Sequence, residues 1–306
     1  MVPDVLTFAT ETLTTFMSIT IQDAPIPTPR KPLRTLKSKP GWQTINVKEL
    51  WLFRDLLLTL AQRDVKLRYR QTAVGALWVV LQPLLAAGIF SLVFGRLAKF
   101  PSDGVPYFVF SYAGLLAWNV FSGTVVKVSA SLVQNSNLIS KVYFPRLILP
   151  LSMMFSTLLD FCVALTLLPV LMLIAHVAPG IGLLTLPIWF VLILMLALGI
   201  GMYTAALAVT YRDVQYVIPV TMQFLLYASP VAFPLTFALA KLPAAYQPFY
   251  FLNPMAGLLQ GFRWALLGHG SLPVAPIIYA AVVSILVFVG GAYAFKKMER
   301  KFADVI

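Results

Sequence analysis

Long apolar runs separated by short charged clusters set the pattern of this chain. Between Arg70 and Arg96 lie 25 residues without a formal charge, and between Asp103 and Lys127 lie 23. Residues 161–211 carry only His176 as a weak base and are broken at Pro179-Gly180, so this stretch holds the end of one run and the whole of the next. Two further gaps occupy 214–240 and 264–295. A bilayer core of about 30 Å takes roughly 20 helical residues, so the gaps predict six spans at approximately 73–95, 107–126, 147–175, 183–209, 217–238 and 273–294. Unpaired backbone groups are not tolerated in lipid, which makes these runs helical. Runs such as LILPLSMMF and VLILMLALGIG lack the polar–apolar alternation of a membrane barrel strand. The expected fold class is an all-α integral membrane protein.

Residues 48–70 follow a different pattern. Leu50, Phe53, Leu57 and Leu60 recur at helical spacing opposite a polar stripe of Asp55, Thr59, Gln62, Lys66 and Arg70. Such a helix lies in the membrane interface with its apolar face in the acyl region, or packs that face on a protein partner. Asp64 and Arg68 stand at i,i+4, a spacing that adds a few tenths of a kcal/mol. Residues 239–272 are crowded with Tyr246, Phe249, Tyr250, Phe251, Phe262 and Trp264 and broken by Pro243, Pro248 and Pro254. Apolar yet interrupted, this connection reads as short re-entrant helices, whose irregular backbone needs protein or a wet cavity around it.

Composition sharpens the picture. Hydrophobic residues make up 59% of the 306 and charged residues 11%, against about 25% charged in ordinary soluble domains, which argues against a cytosolic enzyme. The net charge of +12 is not a nucleic-acid signature, because of its placement. With six spans, 19 of the 23 Lys and Arg fall on one side, and only Arg96, Lys99, Lys241 and Arg263 on the other. Both termini are therefore expected in the cytoplasm. Residues 1–47, with prolines at 25, 27, 29, 32 and 40 amid basic residues, are expected to form a disordered cytoplasmic arm ahead of a membrane domain at 48–306. The start of the chain lacks the basic residues and apolar core of a secretory signal. Cys162 alone excludes an intrachain disulfide framework.

Candidate chemistry is sparse. The sequence has no GxxxxGK[ST] phosphate loop, HExxH or CxxC motif, so nucleotide hydrolysis is not expected on this chain, nor is a metal. Asp160 is the one acid inside a predicted span, with no basic partner visible within a span. It reads either as a proton or cation site, or as an acid facing the bundle interior and hydrogen-bonded to hydroxyls or a helix neighbour. Gln82, Asn119 and Gln223, the neutral polar residues of the spans, read as helix–helix contacts.

Four segments then carry a resemblance: RDVKLRYRQTAVGALWVVLQP (63–83), NSNLISKVYFPRLILP (135–150), YRDVQYVIP (211–219) and NPMAGLLQGFRWALLG (253–268). In this order the sequence resembles the membrane subunit of ATP-binding-cassette exporters of the bacterial polysaccharide type, the permeases for O-antigen, teichoic acid and related glycans. The resemblance implies a half-transporter of the bacterial cytoplasmic (inner) membrane that pairs with itself and with two copies of a separate ATPase, on which ATP and Mg would be bound. It implies no cofactor on this chain and no nucleic-acid partner. It assigns ATPase coupling to Ser136, Asn137, Leu138, Ile139, Lys141, Phe144, Pro145 and Arg146, and to Arg212 and Asp213. It places a gate at the interfacial helix, with Arg63, Asp64, Lys66, Arg68, Tyr69 and Arg70, and re-entrant helices at the outer side, with Asn253, Pro254, Arg263 and Trp264.

The implied substrate is a lipid-linked glycan moving through the dimer interface. A glycan presents C–H faces and hydroxyls, so its path should offer aromatic surfaces rather than charge rings; the candidates are Trp78, Phe110, Tyr112, Trp118, Phe121, Phe224 and Tyr227. Each also fits a lipid-facing or interfacial aromatic. An exporter of the same type carrying a drug or a lipid, and a membrane scaffold for glycan biosynthesis, remain alternatives at this stage.

Overall fold

The computed structural model describes residues 47–69, 77–243, 245–247, 250, 252–299 and 302. The predicted arm, the start of the first span at 73–76 and Arg70 lie outside them, as do the side chains of Arg68 and Tyr69. Among the described residues all regular structure is helical. The helices run α1 (Val47–Leu52), α2 (Arg54–Tyr69), α3 (Leu77–Phe90, continued by a π-helical turn Ser91–Leu97), α4 (Tyr107–Gln134), α5 (Ser136–Lys141), α6 (Ile148–Ile174), α7 (Leu186–Thr210, entered through a 3₁₀ turn Ile181–Thr185), α8 (Val214–Ala228), α9 (Leu235–Lys241), α10 (Pro254–Leu267) and α11 (Val274–Met298).

Five of these, α3, α4, α6, α7 and α11 with their continuations, are long and apolar enough to cross a bilayer. The sixth expected span, 217–238, is not one continuous helix. Its place is taken by α8, whose 15 residues reach only about 22 Å at ~1.5 Å per residue. The cause is local: Ser229 precedes Pro230, a position from which helical geometry is sterically disfavoured, and Ser229 is extended at φ −96°, ψ 151°. The second span also differs, continuing past 126 to Gln134.

Helix α4 is the hub of the bundle, packing on α3, α6, α7, α8 and α10. It is the least apolar of the five crossing helices and by far the most buried. A helix facing lipid must be apolar on its outer side, whereas one wrapped by protein can carry hydroxyls that bond inward. Ser111 and Ser129 do so to the carbonyls of Phe108 and Val126, and the Tyr112 hydroxyl donates to the Ala164 carbonyl of α6 at 2.7 Å. Helices α7 and α11 approach so closely that a Cβ on Gly199 would lie 2.4 Å from the Val287 carbonyl oxygen, the small-residue contact by which membrane helices pack without a hydrophobic drive between them.

The ends of the bundle are distinct. Arg63, Asn135, Arg146 and Glu299 meet at one end, and Phe100, Phe233, Gly180 and Gly268 meet at the other. We call these the basic end and the far end. At the basic end Leu60 and Ala61 of α2 are buried, with Leu50, Phe53 and Leu57 packed beside them on the core formed by Phe144, Ile148, Phe295 and Phe302. The apolar edge expected to face acyl chains or a partner therefore seats on the chain's own α6 and its neighbours, leaving the polar stripe Asp55, Thr59, Gln62 and Lys66 exposed.

Candidate functional site

At the basic end, the connection after α4 is built by a chain reversal. Asn135 ends α4 and its side-chain amide donates to the Ser131 carbonyl at 2.9 Å, while its Oδ1 accepts from Arg63 Nη2 at 2.7 Å. Arg63 also pairs with the neighbouring Asp64 at 2.9 Å. Thus one of the six gate candidates, Arg63, ties α2 to the start of the connection, Asp64 pairs with it on the same helix, and Lys66 is exposed. The six-residue α5 (Ser136–Lys141) then leads through extended Val142 to Pro145 and into α6.

The predicted coupling residues divide into two groups. Asn137, Ser140 and Lys141 are exposed, Ser136, Leu138 and Ile139 half-buried. Phe144 is 4% exposed in the basic-end core: an apolar ring one residue before Pro145 folds inward under α6. Arg146 is likewise turned inward. Its Nη1 donates to the Glu299 carbonyl, its guanidinium lies 5.7 Å from the Phe302 ring centroid, and Lys296 pairs with the Glu299 carboxylate. The outward surface comes instead from Val142 and Tyr143, the latter 64% exposed. Neither was among the coupling candidates, because nothing in the sequence fixes which side chains of this connection face outward. Arg212 and Asp213 are exposed between α7 and α8, flanked by exposed Tyr211 and Tyr216.

At the far end, the chain between α8 and α9 is unwound, and unwound backbone in an apolar setting needs partners. Arg263 of α10 supplies them. Fully buried at 2% exposure, it donates from Nη2 to the Pro230 carbonyl at 2.7 Å and from Nη1 to the Val231 carbonyl at 3.3 Å, with the Phe110 ring 4.3 Å from the guanidinium carbon. Burial pushes its pKa down to about 10, opposed by Asp103, then Tyr250 and Tyr107, so it stays charged at neutral pH. Arg263 was expected among external charges and is instead an internal clamp. Asn253 caps α10, accepting from the Met255 N–H at 3.0 Å, and its amide reaches Ser229 Oγ at 2.9 Å. Pro254 takes the first helical position, where its missing N–H costs nothing. The half-buried ring of Trp264 packs over Gly182, whose Cβ would meet it at 2.9 Å, and Gly268 closes the helix at φ +67°, a left-handed conformation suited to glycine.

Asp160 has a basic partner after all. Lys127 Nζ lies 3.0 Å from Asp160 Oδ2 and 3.1 Å from Ser156 Oγ. Lys127 bounds the second charge gap in the sequence, and because α4 runs on to Gln134 it stands half-buried within the helix, beside α6. The channel candidates also separate. Phe110, Tyr112, Trp118 and Phe121 are buried within the protomer, a correction that follows from the central position of α4. Trp78, Phe224 and Tyr227 are exposed on α3 and α8. Gln82, Asn119 and Gln223, expected at helix contacts, are exposed as well.

The family model described as ABC-2 type transporter matches residues 55–267, a range that contains the connection at 135–150, Arg212, Asp213 and Arg263. The chain is 29% identical over 260 residues to the O-antigen export system permease protein RfbA of Myxococcus xanthus, covering 85% of this chain and 98% of that one. It is 24% identical over 253 residues to the protein of the same name from Klebsiella pneumoniae, covering 82% and 95%.

Proposed function

Because the chain belongs to the ABC-2 type transporter family, we propose that it is the permease half of an ATP-driven exporter that moves a lipid-linked polysaccharide, O-antigen-like or teichoic-acid-like, across the bacterial inner membrane. The observation that carries this reading is the match to RfbA of Myxococcus xanthus along nearly its whole length. In this reading the basic end faces the cytoplasm with both termini, in keeping with its excess of Lys and Arg. Helix α8 completes the sixth crossing together with the unwound segment that Arg263 holds.

Two copies of a separate ATPase subunit, with their ATP and Mg, dock on Asn137, Ser140, Lys141, Val142 and Tyr143 and on Arg212 and Asp213. Docking tilts the connection, and the internal contacts of Phe144 and Arg146 pass that movement into α6 and α11. Two protomers meet across α3 and α8, whose exposed Trp78, Tyr216, Phe224 and Tyr227 supply aromatic faces to a sugar chain.

The test is a deletion strain. Loss of surface polymer with finished lipid-linked chains retained in the cytoplasm is expected, with rescue by the intact gene. Unchanged surface polymer overturns the reading, and loss of the precursors themselves supports a biosynthetic scaffold instead. Purified alone, the chain is expected to hydrolyse no ATP, and to support hydrolysis when assembled with its ATPase.

A further inference from the structure

A groove of about 220 Å³ opens between α3, α4 and α6, and neither the docking surface nor the far-end clamp uses it. Its lining is polar for a site between crossing helices: Gln82 and Asn119 are exposed to it, Ser122 is half-buried, and the Lys127–Asp160 pair closes one end. Thr157 is 4% exposed and also lines it, and its Oγ1 has no hydrogen-bond partner among the described residues. Pro83 adds an acceptor, since it lacks the N–H that would bond the carbonyl of Val79, another lining residue. Asn119 stands eight positions before Lys127 on α4, about 12 Å along the axis at ~1.5 Å per residue, so the groove is elongated along the bundle.

A polar groove at this depth is costly when dry, so its occupant makes hydrogen bonds. An acyl chain makes none. A phosphate anion calls for donors alone and is repelled by Asp160. The two amides and the Ser122 hydroxyl each donate and accept, which is the pattern that reads sugar hydroxyls. The volume equals that of about seven water molecules at ~30 Å³ each, the scale of one sugar ring. We propose that this groove is a subsite for a neutral sugar, holding one ring of the glycan as it passes along α3. The proposal rests on the export reading given above.

The experiment places the photo-reactive amino acid benzoylphenylalanine at position 119 of the full exporter, in cells making the polymer. Position 224, on the proposed aromatic path, and position 286, exposed on α11, serve as comparisons. Glycan-bearing adducts are expected at 119 and 224 and not at 286. Phospholipid adducts alone at 119, with glycan adducts at 224, overturn the subsite and leave the export reading standing. Absence of glycan adducts at both positions, with surface polymer unchanged in the deletion strain, overturns the export reading and the subsite with it.

A second measurement uses the probe at position 122 in a Gln82→Leu/Asn119→Leu background, with assembly followed by co-purification of the ATPase. The glycan adduct should fall about tenfold, the equivalent of ~1.4 kcal/mol, a loss that two net hydrogen bonds account for. An undiminished adduct in the assembled double variant overturns the subsite.

Discussion

The two ends of the bundle treat their polar groups in opposite ways. At the far end the chain completes itself: Arg263 is spent on the carbonyls of an unwound segment, and Phe94, Phe100, Phe233 and Phe237 close over one another with ring centroids 5.3–6.3 Å apart. At the basic end Arg212, Lys141 and Tyr143 are exposed, Arg146 turns inward onto Glu299, and Arg63, itself exposed, ties α2 to Asn135. One end holds its unwound backbone by intramolecular contacts, and the other leaves Lys141, Tyr143 and Arg212 exposed, the surface proposed for docking the ATPase. The difference teaches that exposure, rather than charge, separates the residues proposed to dock from Phe144 and Arg146, which pack inward.

Mutations test that contrast, beginning with the largest effect. Arg263→Ala leaves buried carbonyls without donors at ~1–3 kcal/mol each, so the detergent-extracted protein is expected to lose about 3–5 kcal/mol and melt far below the parent; an unchanged melting temperature would mean those carbonyls are hydrated. Phe144→Ala empties a core site at a cost of about 3–4 kcal/mol, seen as a lower melting temperature, whereas a docking residue would leave it unmoved. Asn253→Ala removes a helix cap for about 1 kcal/mol and frees Ser229, and should broaden hydrogen exchange at the start of α10 only. Tyr143→Ala should stay within about 0.5 kcal/mol of the parent, as surface substitutions do, yet weaken co-purification of the ATPase. Loss of stability without loss of binding at position 143 would reverse the assignment of the two faces.

The spans were legible because lipid penalises charge along their whole length, so the gaps in the sequence mark them directly. The same rule failed at Lys127, where the charge is inside the bundle and paired with Asp160: a gap is ended by any charge, whether it meets water or a partner. It failed again at Ser229, where apolarity continued but Pro230 stopped the helix. The docking connection was legible as a segment and illegible as a surface, since turning Phe144 inward and Tyr143 outward depends on the angle at which Pro145 enters α6. Aromatic residues of α4 were misjudged for the same reason, because composition does not reveal which helix the others surround.

Where α7 and α11 touch at Gly199 and Gly291, there is no cushion of side chains between the two backbones. A side chain at either position would have to force the two helices apart, so the seam admits nothing larger than glycine there.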